Sequence, residues 1–182
     1  MINRRKVLLC FCGIGLSQIL PKAHAMISLT VIPILAHEQA MRAAITEAKL
    51  NSAYPFGSII ADASTGEILA KGVNITNINP TFHGEIVCLN NYVTYHGNSN
   101  WANLILYTTG EPCPMCMSAL TWAGIGGVVF ASSIATLIKA GIKQINISAK
   151  SVIQASDSYR PEILGGILAT ETDVMFLNRK RI

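Results

Sequence analysis

Charged residues are scarce in this sequence. Asp, Glu, Lys and Arg together occupy 13% of the 182 positions, whereas 51% of the positions are hydrophobic. A chain that remains disordered needs low hydrophobicity and a high net charge, so this composition excludes an intrinsically disordered protein. The length is typical of a single domain with its own hydrophobic core.

The apolar run near the N terminus, Val7–Leu20, is too short for a membrane-spanning helix, which needs ~20 apolar residues. Basic residues precede this run at Arg4–Lys6, and an Ala-His-Ala site follows it at Ala23–Ala25. The arrangement predicts a secretory signal peptide over residues 1–25, and therefore an exported, periplasmic or secreted protein. We expect no stable membrane span once this leader is cleaved. An ordinary N-terminal helix and an uncleaved anchor are the alternatives.

Positive charge is not in excess beyond the leader. The whole chain carries 14 basic and 10 acidic residues, and the leader holds four of the basic residues and no acidic one. The predicted mature part, residues 26–182, is therefore neutral. Proteins that bind nucleic acids usually present a basic surface to the phosphates, so the charge balance makes nucleic acid an unfavoured partner.

Cysteines are few. Two of the five lie in the leader, which leaves Cys88, Cys113 and Cys116 in the rest of the chain. An odd number of cysteines does not make a disulfide framework, so in an exported protein these thiols need another purpose.

Helix and strand patterns alternate along the rest of the chain, and they predict one α/β domain with a mixed sheet and helices on its faces. One or two further helices are expected after residue 148. The predicted helices cover His37–Leu50, Phe82–Tyr95, Cys113–Trp122 and Ile134–Ala140, and the predicted strands cover Phe56–Ala61, Glu67–Val73, Leu104–Thr108, Gly126–Ala131 and Ile145–Ser148.

Two short motifs carry chemistry, His83–Glu85 (His-Gly-Glu) and Pro112–Cys116 (Pro-Cys-Pro-Met-Cys), and each begins a predicted helix. Cys113 and Cys116 are three residues apart and share a helix face. The partial positive charge of a helix N terminus favours the thiolates that bind zinc. With His83 as the third ligand, the fourth tetrahedral position stays open for water, as in catalytic zinc sites.

Glu85 is the candidate general acid and base. A regular helix would point residues 83 and 85 apart, but at a helix entrance the backbone can turn both toward one cavity. A carboxylate there can take a proton from the attacking water and pass it to a ring nitrogen and to a leaving amine.

The order H-x-E followed by P-C-x-x-C resembles the signature of the zinc deaminases. Asn79–Ile86 is similar to the first motif of bacterial guanine deaminases and tRNA adenosine deaminases, and Thr108–Cys116 is similar to their second motif. The resemblance implies a three-layer αβα cytidine deaminase-like fold over residues 26–182. It also implies a Zn²⁺ cofactor and a homodimer that packs through the helices carrying the site.

The same resemblance assigns roles to residues. His83, Cys113 and Cys116 are the expected zinc ligands and Glu85 is the proton shuttle. Asn74 matches the position at which these enzymes hold the edge of the base. We add Phe82, beside a zinc ligand, and Trp122, on the helix of the second motif, as candidate substrate contacts.

Several positions depart from the family pattern. Gly84 replaces the commoner Ala, a change expected to cost little beyond helix propensity. Lys143 and Gln144 stand in the region where guanine deaminases tend to carry acidic residues. The expected substrate is a nucleobase, a nucleoside or a related amino-heterocycle; guanine is the first candidate, but Lys143 and Gln144 argue against it. A tRNA or other nucleic-acid adenosine deaminase is the alternative.

Other interpretations of the polar residues remain open. Cys113–Cys116 alone is also typical of a thiol–disulfide protein. A closed structural zinc site would need a fourth ligand, for which Cys88 and His96 are the candidates. His37 is expected at a surface or helix end. Glu111 is expected to act electrostatically on the helix of the second motif and not in the chemistry.

The Arg4–Arg5 pair is also typical of twin-arginine export signals. This route carries folded proteins and would let zinc bind before Cys113 and Cys116 reach an oxidising compartment. Replacing both arginines by lysine should therefore abolish export, as measured by fractionation of cells that produce the chain. Unchanged export would indicate a general secretory route.

Overall fold

The computed structural model of the protein describes residues 27–157 and 159–180. The predicted signal peptide, residues 1–25, lies outside the described residues. Among the described helices, none combines the length and the apolar character needed to cross a membrane. The elements in chain order are α1 (Ile34–Ala48), β1 (Gly57–Asp62), β2 (Ile68–Val73), α2 (Gly84–His96), β3 (Leu104–Gly110), α3 (Pro114–Ala123), β4 (Gly127–Ser132), α4 (Ile134–Lys139), α5 (Ala149–Ala155), β5 (Glu162–Gly165) and α6 (Ala169–Leu177).

The five strands form one mixed sheet in the order β2-β1-β3-β4-β5. Strand β1 is antiparallel to both β2 and β3, whereas β3, β4 and β5 run parallel. The central strand β3 is buried along its whole length, as expected for a strand covered on both faces. The predicted mixed sheet is therefore confirmed.

Helices cover both faces of this sheet. Successive residues of a strand point to opposite faces, and the core divides accordingly. Ile60 and Leu106 pack in a cluster with side chains of α2, α3 and α5. Their strand neighbours Ile59 and Ile105 pack in a second cluster with side chains of α1. The three-layer αβα architecture of the prediction is confirmed.

The predicted strands at Phe56–Ala61 and Glu67–Val73 are present as β1 and β2, which form a hairpin. The Asp62 carboxylate accepts hydrogen bonds from the backbone N–H groups of Ser64 at 2.9 Å and Thr65 at 3.0 Å. Gly66 then adopts a positive φ of 73°, a conformation that glycine adopts without strain.

The prediction after α4 is wrong in one element. Ile145–Ser148 is not a strand, although its alternation of apolar and polar residues is typical of one. Ile145 and Ile147 are 60% and 47% exposed, and Ser148 caps α5 by accepting a hydrogen bond from Ser151. The fifth strand, Glu162–Gly165, was missed because four residues next to glycine give almost no periodic pattern.

His37 lies near the start of α1, as expected for a helix-end residue, but it is part of the core and only 1% exposed, so it is not a surface histidine. Its Nε2–H donates to the carbonyl of Leu29 at 2.9 Å, which leaves Nδ1 to accept from the Tyr107 hydroxyl at 3.0 Å. The backbone N–H of Leu29 donates in turn to the carboxylate of Glu162. Residues just beyond the predicted leader are thus joined to the core and to the edge strand β5.

Helix α2 lies directly on the backbone of β2. A Cβ at Gly72 would come within 2.3 Å of the backbone nitrogen of Cys88 and 2.4 Å of the carbonyl oxygen of Gly84. A Cβ at Gly84 would come within 2.7 Å of the Phe56 carbonyl oxygen. The expectation that an alanine at position 84 differs only in helix propensity is therefore wrong, because this glycine permits a close backbone approach.

Gly72→Ala should force α2 away from β2, because the new methyl group meets backbone atoms that cannot rotate aside. We expect the free energy of unfolding to fall by about 1–3 kcal/mol. Urea unfolding of the zinc-loaded protein would measure it, with Lys71→Ala at the exposed neighbouring position as the control. Equal stability of the two variants would contradict the close packing.

Candidate active site

The three predicted metal ligands lie together. One ligand atom from each of His83, Cys113 and Cys116 falls within 4.8 Å of the other two. The Cys113 sulfur is 3.6 Å from the Nδ1 atom of His83 and 3.7 Å from the Cys116 sulfur. Cys116 is buried, and the other two side chains are half-buried.

Two helix N termini create this cluster. His83 is the residue before α2, and Cys113 is the residue before α3. Pro114 occupies the first position of α3, where the missing N–H group costs little. Because α2 and α3 pack on the same face of the sheet, their first turns meet at one place. The partial positive charges of both helix ends favour sulfur anions there.

The donor set fits zinc, which prefers thiolate and imidazole ligands. The hydrogen bond shared with Cys116 lowers the pKa of the Cys113 thiol to about 4, with a further contribution from His83. The same bond, together with burial, raises the pKa of the Cys116 thiol. Two sulfurs this close oppose each other's ionisation, and a dication would supply the charge that keeps both of them ionised.

The candidates for a fourth protein ligand are elsewhere. Cys88 is buried in the hydrophobic cluster on this face of the sheet. The His96 Nε2 atom is hydrogen-bonded to the carbonyl of Leu69 at 3.0 Å. Within the described residues, the metal cluster therefore consists of one histidine and two cysteines, which is the composition of an open, catalytic site.

Glu85 lies in the first turn of α2 and is 3% exposed. Its Oε2 atom has no hydrogen-bond partner among the described residues. Burial, followed by the nearby Cys113 sulfur, raises the pKa of this carboxyl group to about 7. His83 has an extended backbone while Glu85 is helical, and both side chains line one cavity.

This cavity has a volume of about 230 Å³. It is formed by the metal-ligand motifs, the end of β2, the turn before β1 and the segment after α4. The lining residues are Tyr54, Phe56, Asn74, Thr76, His83, Glu85, Glu111, Cys113, Ile142, Lys143 and Gln144.

Asn74 is the only predicted substrate contact that the structure places in this lining. Its Oδ1 atom accepts hydrogen bonds from the backbone N–H of Thr76 at 3.3 Å and from the Thr76 hydroxyl at 2.9 Å. This fixes the orientation of the amide and leaves its NH₂ group to donate into the cavity. The contact between Asn74 and a base stays a prediction.

Phe82 and Trp122 are not brought into the cavity. Phe82 is half-buried in the turn before α2, outside the lining. Trp122 is 80% exposed on α3 and borders a separate depression with Tyr159. The aromatic side chains that line the cavity are instead Tyr54 and Phe56. Sequence reasoning missed both, because they precede β1 and no motif marks them.

Glu111 also differs from its expected role. Its carboxylate does not cap α3, the helix of the second motif. It accepts hydrogen bonds from the backbone N–H groups of Ile134 and Ala149, the first residues of α4 and α5, both at 2.9 Å. Glu111 is therefore a buried structural carboxylate at the edge of the cavity.

Comparisons with known proteins agree with this geometry. The guanine deaminase of Bacillus subtilis is 36% identical over 89 residues, which cover 48% of this chain and 56% of that protein. A tRNA-specific adenosine deaminase of Rickettsia bellii is 25% identical over 142 residues, which cover 74% of this chain and 93% of that protein. The chain thus spans little more than half of the first relative and nearly all of the second.

Solved structures share the fold. A guanine deaminase from Nitrosomonas europaea superposes with a TM-score of 0.62 at 17% identity, covering 79% of this chain and 82% of that one. Residues 35–132, which contain both motifs, match the family described as the cytidine and deoxycytidylate deaminase zinc-binding region. The predicted zinc cofactor is confirmed, and the chain belongs to this zinc-binding deaminase family.

Proposed function

We propose that this chain is a zinc-dependent hydrolytic deaminase of a nucleobase, a nucleoside or a related amino-heterocycle. The observation that carries the proposal is the buried Glu85, whose unpartnered carboxylate oxygen shares a small cavity with the ligands His83 and Cys113. Held by His83, Cys113 and Cys116, a zinc ion would supply the Lewis acidity that makes water a good nucleophile near neutral pH.

The protein's own residues account for the remaining steps. Glu85 accepts a proton from the attacking water and donates it to a ring nitrogen. It then takes the remaining proton of the added hydroxyl group and transfers it to the amine, which departs as ammonia while the ring carbonyl forms. Burial raises the pKa of this carboxyl group to about 7, so that near neutral pH it can both accept and donate a proton. Asn74 donates a hydrogen bond that orients the ring.

The cavity size supports a small substrate. A volume of about 230 Å³ is below the usual range for ligand pockets and suits one heterocycle. A nucleic-acid substrate has the support of the Rickettsia relative, whose name specifies tRNA. The neutral charge of residues 26–182 argues against this alternative, because phosphate backbones attract basic surfaces.

The zinc-loaded protein should release ammonia from at least one member of a panel of guanine, adenine, cytosine, their nucleosides, amino-triazines and a transfer RNA. Glu85→Gln should lower the rate by about 10²–10⁴-fold, because the proton shuttle is lost. Glu67→Gln, at an exposed position of the hairpin, serves as the matched control.

Zinc content would be measured on every variant. Full activity of Glu85→Gln with zinc bound would contradict the proton shuttle. No ammonia from any compound would contradict the proposed activity, whereas release from the transfer RNA alone would favour the nucleic-acid alternative.

We also propose that the protein acts outside the cytoplasm. The basic, apolar and Ala-His-Ala segments of residues 1–25 support this proposal.

A homodimer is the third part of the proposal. Trp122 is 80% exposed on α3, one of the two helices that carry the metal ligands, and large exposed aromatic side chains often mark interfaces. Trp122→Glu should shift a dimer toward monomers in sedimentation-velocity measurements, with Leu35→Glu at an exposed position of α1 as the control. A monomeric parent protein would contradict this part.

A further inference from the structure

One wall of the cavity belongs to the irregular segment between α4 and α5. Ile142, Lys143 and Gln144 all line the cavity from this segment. The buried Ile142 packs in a small hydrophobic cluster with Phe176. Arg179 donates a hydrogen bond to the carbonyl of Gly141 at 3.3 Å. The start of this wall is therefore held against α6 and the residues that follow it.

Glu111 fixes the same wall relative to the metal ligands. Its carboxylate accepts hydrogen bonds from the backbone N–H groups of Ile134 and Ala149. It therefore holds α4 and α5, the helices on the two sides of the wall. Its own backbone N–H donates to the carbonyl of Ser132 at 2.7 Å. Glu111 lies only two residues before Cys113 in the chain. Its hydrogen bonds therefore connect the second motif to the helices on both sides of the wall.

Lys143 is the only lysine or arginine in the cavity lining. Neither ion pair found among the described residues involves Lys143. The Glu111 carboxylate, which lines the same cavity, is hydrogen-bonded to the backbone N–H groups of Ile134 and Ala149. Lys143 is exposed and lines the cavity together with Asn74. The cavity therefore contains a cationic hydrogen-bond donor that takes part in no ion pair found among the described residues.

We propose that Lys143 is a specificity-determining residue, which selects amino-heterocycles that carry a ring carbonyl or an anionic oxygen. This inference rests on the proposed function and names the substrate class for that site. An oxygen accepts a charge-assisted hydrogen bond from the Lys143 ammonium group. An amino group at the same ring position would place donor against donor and be rejected.

The test compares two ligands of one ring, pyrimidin-2-one and 2-aminopyrimidine, which carry a carbonyl and an amino group at the same ring position and differ also in one ring N–H group. Calorimetric titrations would use the zinc-loaded Glu85→Gln protein, in which turnover is suppressed. We expect tighter binding of pyrimidin-2-one. Lys143→Met should raise the Kd of pyrimidin-2-one by about tenfold, a modest change because solvent screens the charge of an exposed lysine. It should change the Kd of 2-aminopyrimidine by less than about twofold, because that ligand offers no oxygen to the ammonium group.

Lys143→Arg should retain the preference, and Lys143→Glu should reverse it. Lys150→Met is the matched control, because Lys150 is exposed on α5 and outside the cavity lining, and it should change neither Kd. Equal effects of Lys143→Met on both ligands, no effect on either, or no measurable binding of pyrimidin-2-one would overturn the inference. Because these are binding measurements, they are independent of whether the parent protein releases ammonia.

Discussion

The direct packing of α2 on the backbone of β2 is the constraint on which the site depends. Gly72 permits this approach, because a Cβ there would meet backbone atoms of α2, and Gly84 permits α2 to lie equally close to the Phe56 carbonyl before β1. The backbone N–H of Asn74 then donates to the carbonyl of Phe56 at 2.9 Å, so the end of β2 also closes on the turn before β1. As a result, Asn74 and Glu85 line one cavity although they lie on different elements.

Charge is the second constraint. The site buries a carboxyl group with an unpartnered oxygen beside two sulfurs that are 3.7 Å apart. Such a group of acids is unfavourable in a folded protein unless a positive charge compensates it. The ends of α2 and α3 supply part of this compensation, and a zinc ion supplies the rest. Metal binding and stability of the domain are thus linked through the same residues.

The sequence predicted the metal-ligand cluster well, because zinc chemistry restricts both the type of the ligand residues and their spacing. Two cysteines three residues apart at a helix start, preceded by His-x-Glu at another, identified the cluster that the structure assembles. Sequence reasoning was weakest where three-dimensional contacts decide. Tyr54 and Phe56 reach the cavity only because of how β1 and β2 pair, and Glu111 caps helices that begin at Ile134 and Ala149. The exposed Ile145 and Ile147 show that periodicity alone does not define a strand.

The hydrogen bonds around Leu29 have a consequence for the order of synthesis. Leu29 is joined through its backbone N–H to Glu162, in the last strand of the sheet, 133 residues further along the chain. Leu29 therefore cannot complete its contacts until Glu162 has been synthesised, when almost the whole polypeptide has left the ribosome. Translation itself thus delays the final packing of Leu29 against β5 until the last stage of synthesis.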